Sequence, residues 1–244
     1  MSTVKILAYK EPHLCNALLI IASGFIECIT YLLCFNIFAS FMTGTIIVGV
    51  VDFATRSNLD WVTLLRILAV VIAFIGGFIS LLFIRYKLYK KVRKEAVFTQ
   101  MLTLQSILLV LLTVIMIFFM RFNLNREAIS SITVIVLSFN MGFHHHHLGI
   151  KYKGMAYRTH FMTFNTWNMF NLIVKYRELP KAKRKESEGQ DLIKKARFLL
   201  LVLLLFFGGV FACAELINFF SFFTIIIPTL LFVLAAYLSR GKEV

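Results

Sequence analysis

The sequence predicts an all-α polytopic membrane protein with about six transmembrane helices, two shorter motif-bearing helices, and two repeated, inverted halves. Three observations carry this expectation. Hydrophobic residues make up 59% of the 244-residue chain and charged residues 16%, which argues against a soluble globular domain. Residues 67–84, 101–120 and 198–220 are apolar runs with at most one charge each. A polar pattern occurs twice: Gly24-Phe25-Ile26-Glu27 followed by Phe41-Met42-Thr43-Gly44-Thr45, and Met141-Gly142-Phe143 followed by Thr159-His160-Phe161-Met162-Thr163-Phe164-Asn165. Each copy precedes a glycine pair, Gly76-Gly77 or Gly208-Gly209.

A crossing needs about 20 predominantly apolar residues. In hydrocarbon such a run must be helical, because every backbone polar group has to be satisfied within the segment. The alternation of a membrane barrel is absent. Lys5 and Lys10 precede an apolar stretch, as in a signal peptide, but the many later spans make residues 14–35 a retained first helix. The predicted spans are 14–36, 62–84, 100–120, 128–149, 197–217 and 219–238. Two further apolar segments, 38–55 and 158–174, carry the Met-Thr motifs. Pro228 is expected to kink the last span. Asn123, Asn125, Ser130 and Ser131 mark a short loop and the start of the next helix.

The charge pattern orients these elements. Arg85, Lys87, Lys90, Lys91, Arg93 and Lys94 form one basic stretch, and a second runs from Lys175 to Arg197. Both abut apolar spans, where Lys and Arg mark the cytoplasmic side. If neither motif segment crosses, 22 of the 26 Lys and Arg lie inside. If both cross, the best arrangement keeps 17 inside. The bias therefore selects six spans with both termini cytoplasmic. Each half then crosses three times, so the halves are inverted, and the motif segments enter from opposite sides. Two such segments meeting near the midplane would resemble a transporter or channel core.

The organisation that follows is a cytoplasmic N-terminus at 1–13, a first membrane repeat at 14–120, and a second at 121–238. The second repeat contains a basic cytoplasmic linker at 175–197, and a cytoplasmic tail covers 239–244. The net charge of +14 is read as topology rather than as nucleic-acid binding. The expected partners are the bilayer, anionic lipid at the basic loops, an unidentified small solute or ion, and a second copy of the chain in a homo-oligomer. The cysteines Cys15, Cys28, Cys34 and Cys213 lie in apolar segments without paired metal spacing and read as small packing residues.

Glu27 is the residue of greatest chemical interest. A charged carboxylate at the centre of a span costs roughly 2.5–3.5 kcal/mol. It must pair, face water or stay protonated. One reading is a proton or cation site, with Tyr31 on the same helical face; the other is a neutral Glu hydrogen-bonded between helices. Thr43, Gly44 and Thr45 offer hydroxyls and a close backbone approach. If a helix begins there, its free N–H groups could face a polar solute. The alternative is close helix packing. Thr163 and Asn165 are the corresponding polar groups of the second copy, where Phe164 replaces the glycine. His144 and His147 share a helical face, but no carboxylate or cysteine is near them in sequence. With Lys151 and Lys153 close by, the run His144–His147 reads as an interfacial patch. Gly76, Gly77 and Ser80, and Gly208, Gly209 and Ala212, read as close-packing faces.

The run Gly24 to Leu32 with Phe41-Met42-Thr43-Gly44-Thr45 resembles the YoaK-type family of bacterial inner-membrane proteins. That family has Gly-x-x-Asp and then Met-Thr-Gly-Asn, with Met-Gly-x-Gln-Asn and Thr-Thr-x-x-Thr-Gly in its second half. The resemblance covers residues 14–238. It departs at Glu27 (Asp), Thr45 (Asn), His144-His145 (Gln-Asn) and Phe164 (Gly). It implies a bacterial inner-membrane location and brings no settled activity.

The sequence shows no Walker loop, Gly-x-Ser-x-Gly or His-Glu-x-x-His motif. The expectation is therefore a non-enzymatic protein without cofactor or metal, a transporter or channel for a small polar solute or ion. Its pathway would be lined by Glu27, Tyr31, Thr43, Gly44, Thr45, Thr163 and Asn165. The alternatives are a membrane scaffold working through its basic loops, and an intramembrane metal-dependent enzyme using the histidines.

Overall fold

A computed structural model describes residues 13–39, 42–55, 60–122, 125–145, 150–152, 155–157 and 162–240. The described chain is helical apart from one small hairpin. Its elements are α1 (His13–Leu33), α2 (Met42–Thr55), α3 (Trp61–Tyr89), α4 (Lys94–Arg121), α5 (Arg126–His145), β1 (Ile150–Tyr152), β2 (Met155–Tyr157), α6 (Met162–Glu178), α7 (Lys181–Lys185), α8 (Ser187–Phe220), a 3₁₀ turn (Ser221–Ile225) and α9 (Ile226–Arg240). The antiparallel hairpin pairs Ile150 with Tyr157 and was not foreseen.

Local chemistry sets the helix ends. The Asp60 carboxylate accepts from the Thr63 backbone N–H at 2.7 Å and starts α3. The Asn125 side-chain oxygen accepts from the Glu127 N–H at 2.9 Å and starts α5. Phe35 and Asn36 adopt positive φ after α1, and Lys91 does so after α3. Ser221, with φ 49° and ψ −130°, breaks the chain between α8 and α9. Pro228 lies in the first turn of α9, where its missing N–H costs nothing. The expected proline kink is therefore a helix start, and the bend sits at Ser221.

Four helical stretches among the described residues are long and apolar enough to cross a membrane: Leu14–Leu33, Trp61–Tyr89, Ala96–Arg121 and Ser187–Arg240. The last comprises α8 and α9 on either side of the Ser221 break. α5 lies outside this set and carries several buried polar residues, including Ser130, Thr133, Asn140 and His144. Helix α8 has 34 residues and extends about 51 Å, well beyond a hydrocarbon core of about 30 Å. Its first turns are polar and hold the Lys195–Asp191 ion pair at 2.6 Å. The basic connection expected at 175–197 is thus largely helical.

The helices pack in matched sets. α1 packs on α8 and α5 on α3; α1 on α9 and α5 on α4; α2 on α3 and α6 on α8. Glycines bring backbones together at two crossings. A methyl on Gly24 would lie 2.4 Å from the Phe206 carbonyl oxygen, and one on Gly209 2.5 Å from that of Ile21. At the other crossing, a methyl on Gly142 would lie 1.9 Å from the Ala73 carbonyl oxygen, and one on Gly76 2.4 Å from that of Phe139. Small residues here let backbones touch. Gly208 differs from its neighbour: nothing lies within 4 Å of a methyl placed there.

Hydrogen bonds and ring contacts fix which ends lie together. Ser130 Oγ donates to the Leu33 carbonyl at 2.9 Å, and Arg66 Nη2 to that of Phe35 at 3.2 Å. These bring the starts of α5 and α3 to the end of α1. Arg126 lies over the Phe222 ring at 5.9 Å, adding the α8–α9 junction to the same side. α4 and α9 run antiparallel, with Thr113 and Thr229 hydroxyls 3.0 Å apart and Thr99 Oγ1 donating to the Ser239 carbonyl at 3.3 Å. The α3–α4 turn and the end of α9 occupy the opposite side. Large apolar side chains such as Phe74, Phe78, Phe211 and Tyr237 are more than half exposed, as suits a lipid-facing surface and not an aqueous one.

Candidate functional site

Glu27 lies in the second half of α1 and is 3% exposed. It lines a cavity of about 340 Å³ between α1, the segment after it and α8, together with Cys28, Tyr31, Phe38, Phe206 and Val210. The surface of this cavity is apolar, so Glu27 borders it through its aliphatic stem while the carboxyl is buried within the helix packing. The Thr30 hydroxyl does not serve this carboxyl. It donates to the backbone carbonyls of Ile26 and Glu27 at 3.0 and 3.1 Å. Tyr31 is 40% exposed and stacks on Phe38 with ring centres 4.8 Å apart.

Thr45 ties the first Met-Thr motif to this cavity. Its hydroxyl donates to the Phe38 carbonyl at 3.0 Å and accepts from the Phe38 N–H at 3.2 Å. One buried side chain so satisfies both backbone groups of a residue in the loop between α1 and α2. Thr45→Val is expected to destabilise the protein by about 1–3 kcal/mol, the cost of leaving buried polar groups unpaired. Thr45→Ser should retain most of the stability, and thermal unfolding in detergent is the check. Gly44 faces the Phe38 ring, where a methyl would meet Cδ2 at an ordinary 3.5 Å. Close packing against this ring therefore does not require glycine. The Thr43 side chain lies outside the described residues.

Thr163 is exposed, whereas Asn165 is fully buried on α6. α2 packs along α3, and α6 along α8, and among the described residues α2 and α6 share no extended interface. The expected meeting of the two motif segments at the midplane is corrected on this point. Glu27, Tyr31, Gly44 and Thr45 gather around Phe38, while Thr163 and Asn165 belong to a separate region. The reason is that each motif helix packs against the long helix that follows it.

Two polar groups lie in settings that the sequence reading did not give them. Arg66, 8% exposed, borders a groove of about 370 Å³ between α2 and α3 with Thr45, Gly49 and Val70. His144 is fully buried, which corrects its reading as part of an interfacial patch. Its Nδ1 lies 3.2 Å from Gln105 Oε1, and Gln105 Nε2 donates to the Asn140 carbonyl at 3.0 Å. The Phe232 ring packs edge-on against the imidazole at 5.5 Å. Gln105 within an apolar run was the available signal. His147 lies outside the described residues. Among the described residues, no three His, Cys, Asp or Glu side chains converge as a metal site would require.

Basic residues line the side that holds the α3–α4 turn. Lys87 lies over the Phe83 ring at 5.2 Å and Lys90 over the Tyr86 ring at 4.6 Å, one turn of helix apart in each case. Their stems cover apolar surface while the ammonium groups reach the interface. No curated protein and no solved structure matches this sequence. The model of a family described as a protein of unknown function, DUF1275, matches residues 15–238, and the chain belongs to that family.

Proposed function

We propose that this chain is a bacterial inner-membrane protein that passes a small polar solute or ion, with Glu27 as the group that handles charge or protons. The Glu27 carboxyl, buried in α1 beside an apolar cavity, carries the reading. A carboxyl at that depth is costly to maintain, and intramembrane ionisable groups commonly mark solute or proton pathways. The pathway centres on Glu27, Tyr31 and Thr45. The YoaK-type resemblance is consistent with the family match.

The same proposal includes two inverted halves and six crossings, both termini being cytoplasmic. Exchanging α1 with α5, α2 with α6, α3 with α8 and α4 with α9 preserves the main helix pairings, which supports the repeat. The Arg66–Phe35 hydrogen bond supports a first motif segment that returns to the side it left. At 14 residues, α2 extends only about 21 Å, short of a full crossing. Anionic lipid at the basic side and a homo-oligomeric state complete the proposal. The experiment that tests it is ion and proton flux in proteoliposomes carrying the wild-type chain or Glu27→Gln.

A further inference from the structure

We propose that an open groove between α4 and α9 holds one anionic phospholipid, with its phosphate on Arg240 and one acyl chain lying inward along the helices. This rests on the reading that the basic side meets anionic lipid, and gives that lipid a defined site. The groove has a volume of about 360 Å³, and its polar and apolar lining residues are segregated. Arg240 is the last residue of α9, and its Nη2 donates to Thr103 Oγ1 at 3.4 Å. The Thr99–Ser239 hydrogen bond fixes this end of the groove on the side that holds the α3–α4 turn. From there the lining turns apolar, through Ile107, Val110 and Leu111 on α4 and Val233 on α9. Thr103 to Leu111 extends about 12 Å, close to the depth of one hydrocarbon leaflet, about 15 Å. The groove thus has a cation at one end and the length of a leaflet behind it.

The donors select the occupant. The Thr103 and Ser106 hydroxyls already donate to the carbonyls of Thr99 and Leu102, each at 2.8 Å. The groove therefore offers the Arg240 guanidinium and the Tyr237 hydroxyl as donors, and a headgroup rich in acceptors fits them. Among the described residues no carboxylate pairs with Arg240. A planar guanidinium matches a phosphate with two parallel hydrogen bonds. Tyr237 is largely exposed beside it, and tyrosine suits the headgroup level, with its ring against the chain and its hydroxyl toward water. A free phosphate would gain nothing from the apolar walls, whereas an acyl chain fills them. Charge then decides between phospholipids. Lys90, Lys91 and Arg93 stand at the α3–α4 turn on the same side. Their field favours a lipid of net negative charge over a zwitterionic one, whose own cation it repels.

The test uses the full-length chain purified in detergent, stripped of lipid, and supplied with dioleoyl phosphatidylglycerol or dioleoyl phosphatidylcholine. Native mass spectrometry reads the lipid retained per chain, and a titration of each lipid reads its affinity. The unaltered chain should retain one phosphatidylglycerol in preference to phosphatidylcholine, a result that does not depend on any variant folding. Arg240→Gln should weaken phosphatidylglycerol binding by about tenfold or more, the scale of losing a charge-assisted contact. Val110→Trp, on the exposed wall of the groove, should weaken it comparably by filling the place of the chain. Lys90→Gln, outside the groove, should have the smaller effect. Equal retention of the two lipids by the unaltered chain would overturn both the groove and the broader reading of anionic lipid at the basic side. A preference that survives Arg240→Gln and Val110→Trp but falls with Lys90→Gln would overturn the groove and leave the broader reading standing. Dissociation of a dimer by Val110→Trp, with lipid retention unchanged, would give the groove to a second copy of the chain and overturn the lipid site.

Discussion

Glu27→Gln is expected to lower flux through the protein by about 100-fold or more, the scale of losing a positioned proton-transfer group. Its membrane level and melting temperature should stay at or above those of the wild type. Glutamine keeps the size and hydrogen-bonding capacity of the side chain but cannot ionise. If Glu27 were only a neutral hydrogen-bonding group between helices, the amide would serve nearly as well and flux would persist. The comparison therefore separates chemistry from packing at a residue that is 3% exposed. Proton-coupled uptake into vesicles, measured alongside thermal unfolding, reads both quantities. Unchanged flux would remove Glu27 from the mechanism.

Gly142→Ala is expected to produce the largest loss of stability among simple glycine variants. The added methyl would lie 1.9 Å from the Ala73 carbonyl oxygen, 2.6 Å from its carbon and 2.8 Å from its Cα. These are backbone atoms of α3, so no rotamer change relieves the clash and the two helices must separate. Overpacking typically costs about 1–3 kcal/mol, and a backbone clash of this depth belongs at the top of that range or above it. Gly208→Ala offers the opposite case. Nothing lies within 4 Å of its methyl, so alanine should be tolerated and should gain from its better helix propensity, up to about 1 kcal/mol. Melting temperatures of the two variants in the same detergent should move in opposite directions.

That contrast also shows how far the sequence could be read. The glycine pairs were recognisable as packing elements, but not which member of Gly208-Gly209 faces a neighbour. That choice depends on rotation about the axis of α8 against α1. The cores of α1, α3 and α4 were legible from hydropathy alone, because a span has to be apolar along its length. α8 begins at Ser187 and not near 197, since a helix that emerges from the membrane loses its hydropathy signal and keeps its backbone hydrogen bonds. The break at Ser221 lies close to the boundary expected between residues 217 and 219, whereas Pro228, expected to kink the last span, stands in the first turn of α9.

The candidate site was partly legible. Glu27 stood out as a carboxyl inside a span, and Thr45 as part of a repeated motif. The role of Thr45 in holding Phe38 was not visible, because it depends on the loop folding back onto α2. His144 was misplaced because its partner, Gln105, lies on another helix; only tertiary packing joins them. The separation of Thr163 and Asn165 from Glu27 follows from the same limit, as motif spacing says nothing about which helix each motif packs against.

Sidedness labelling tests the inverted architecture most directly. Ser57→Cys and Ser187→Cys would be made singly and intact cells treated with an impermeant thiol reagent. The four native cysteines are buried and can remain as an internal background. The proposed topology predicts labelling at position 57 in intact cells, and at position 187 only after the membrane is opened. Protection of both positions in intact cells would place both connections inside. The first motif segment would then cross the membrane, contradicting the inverted halves.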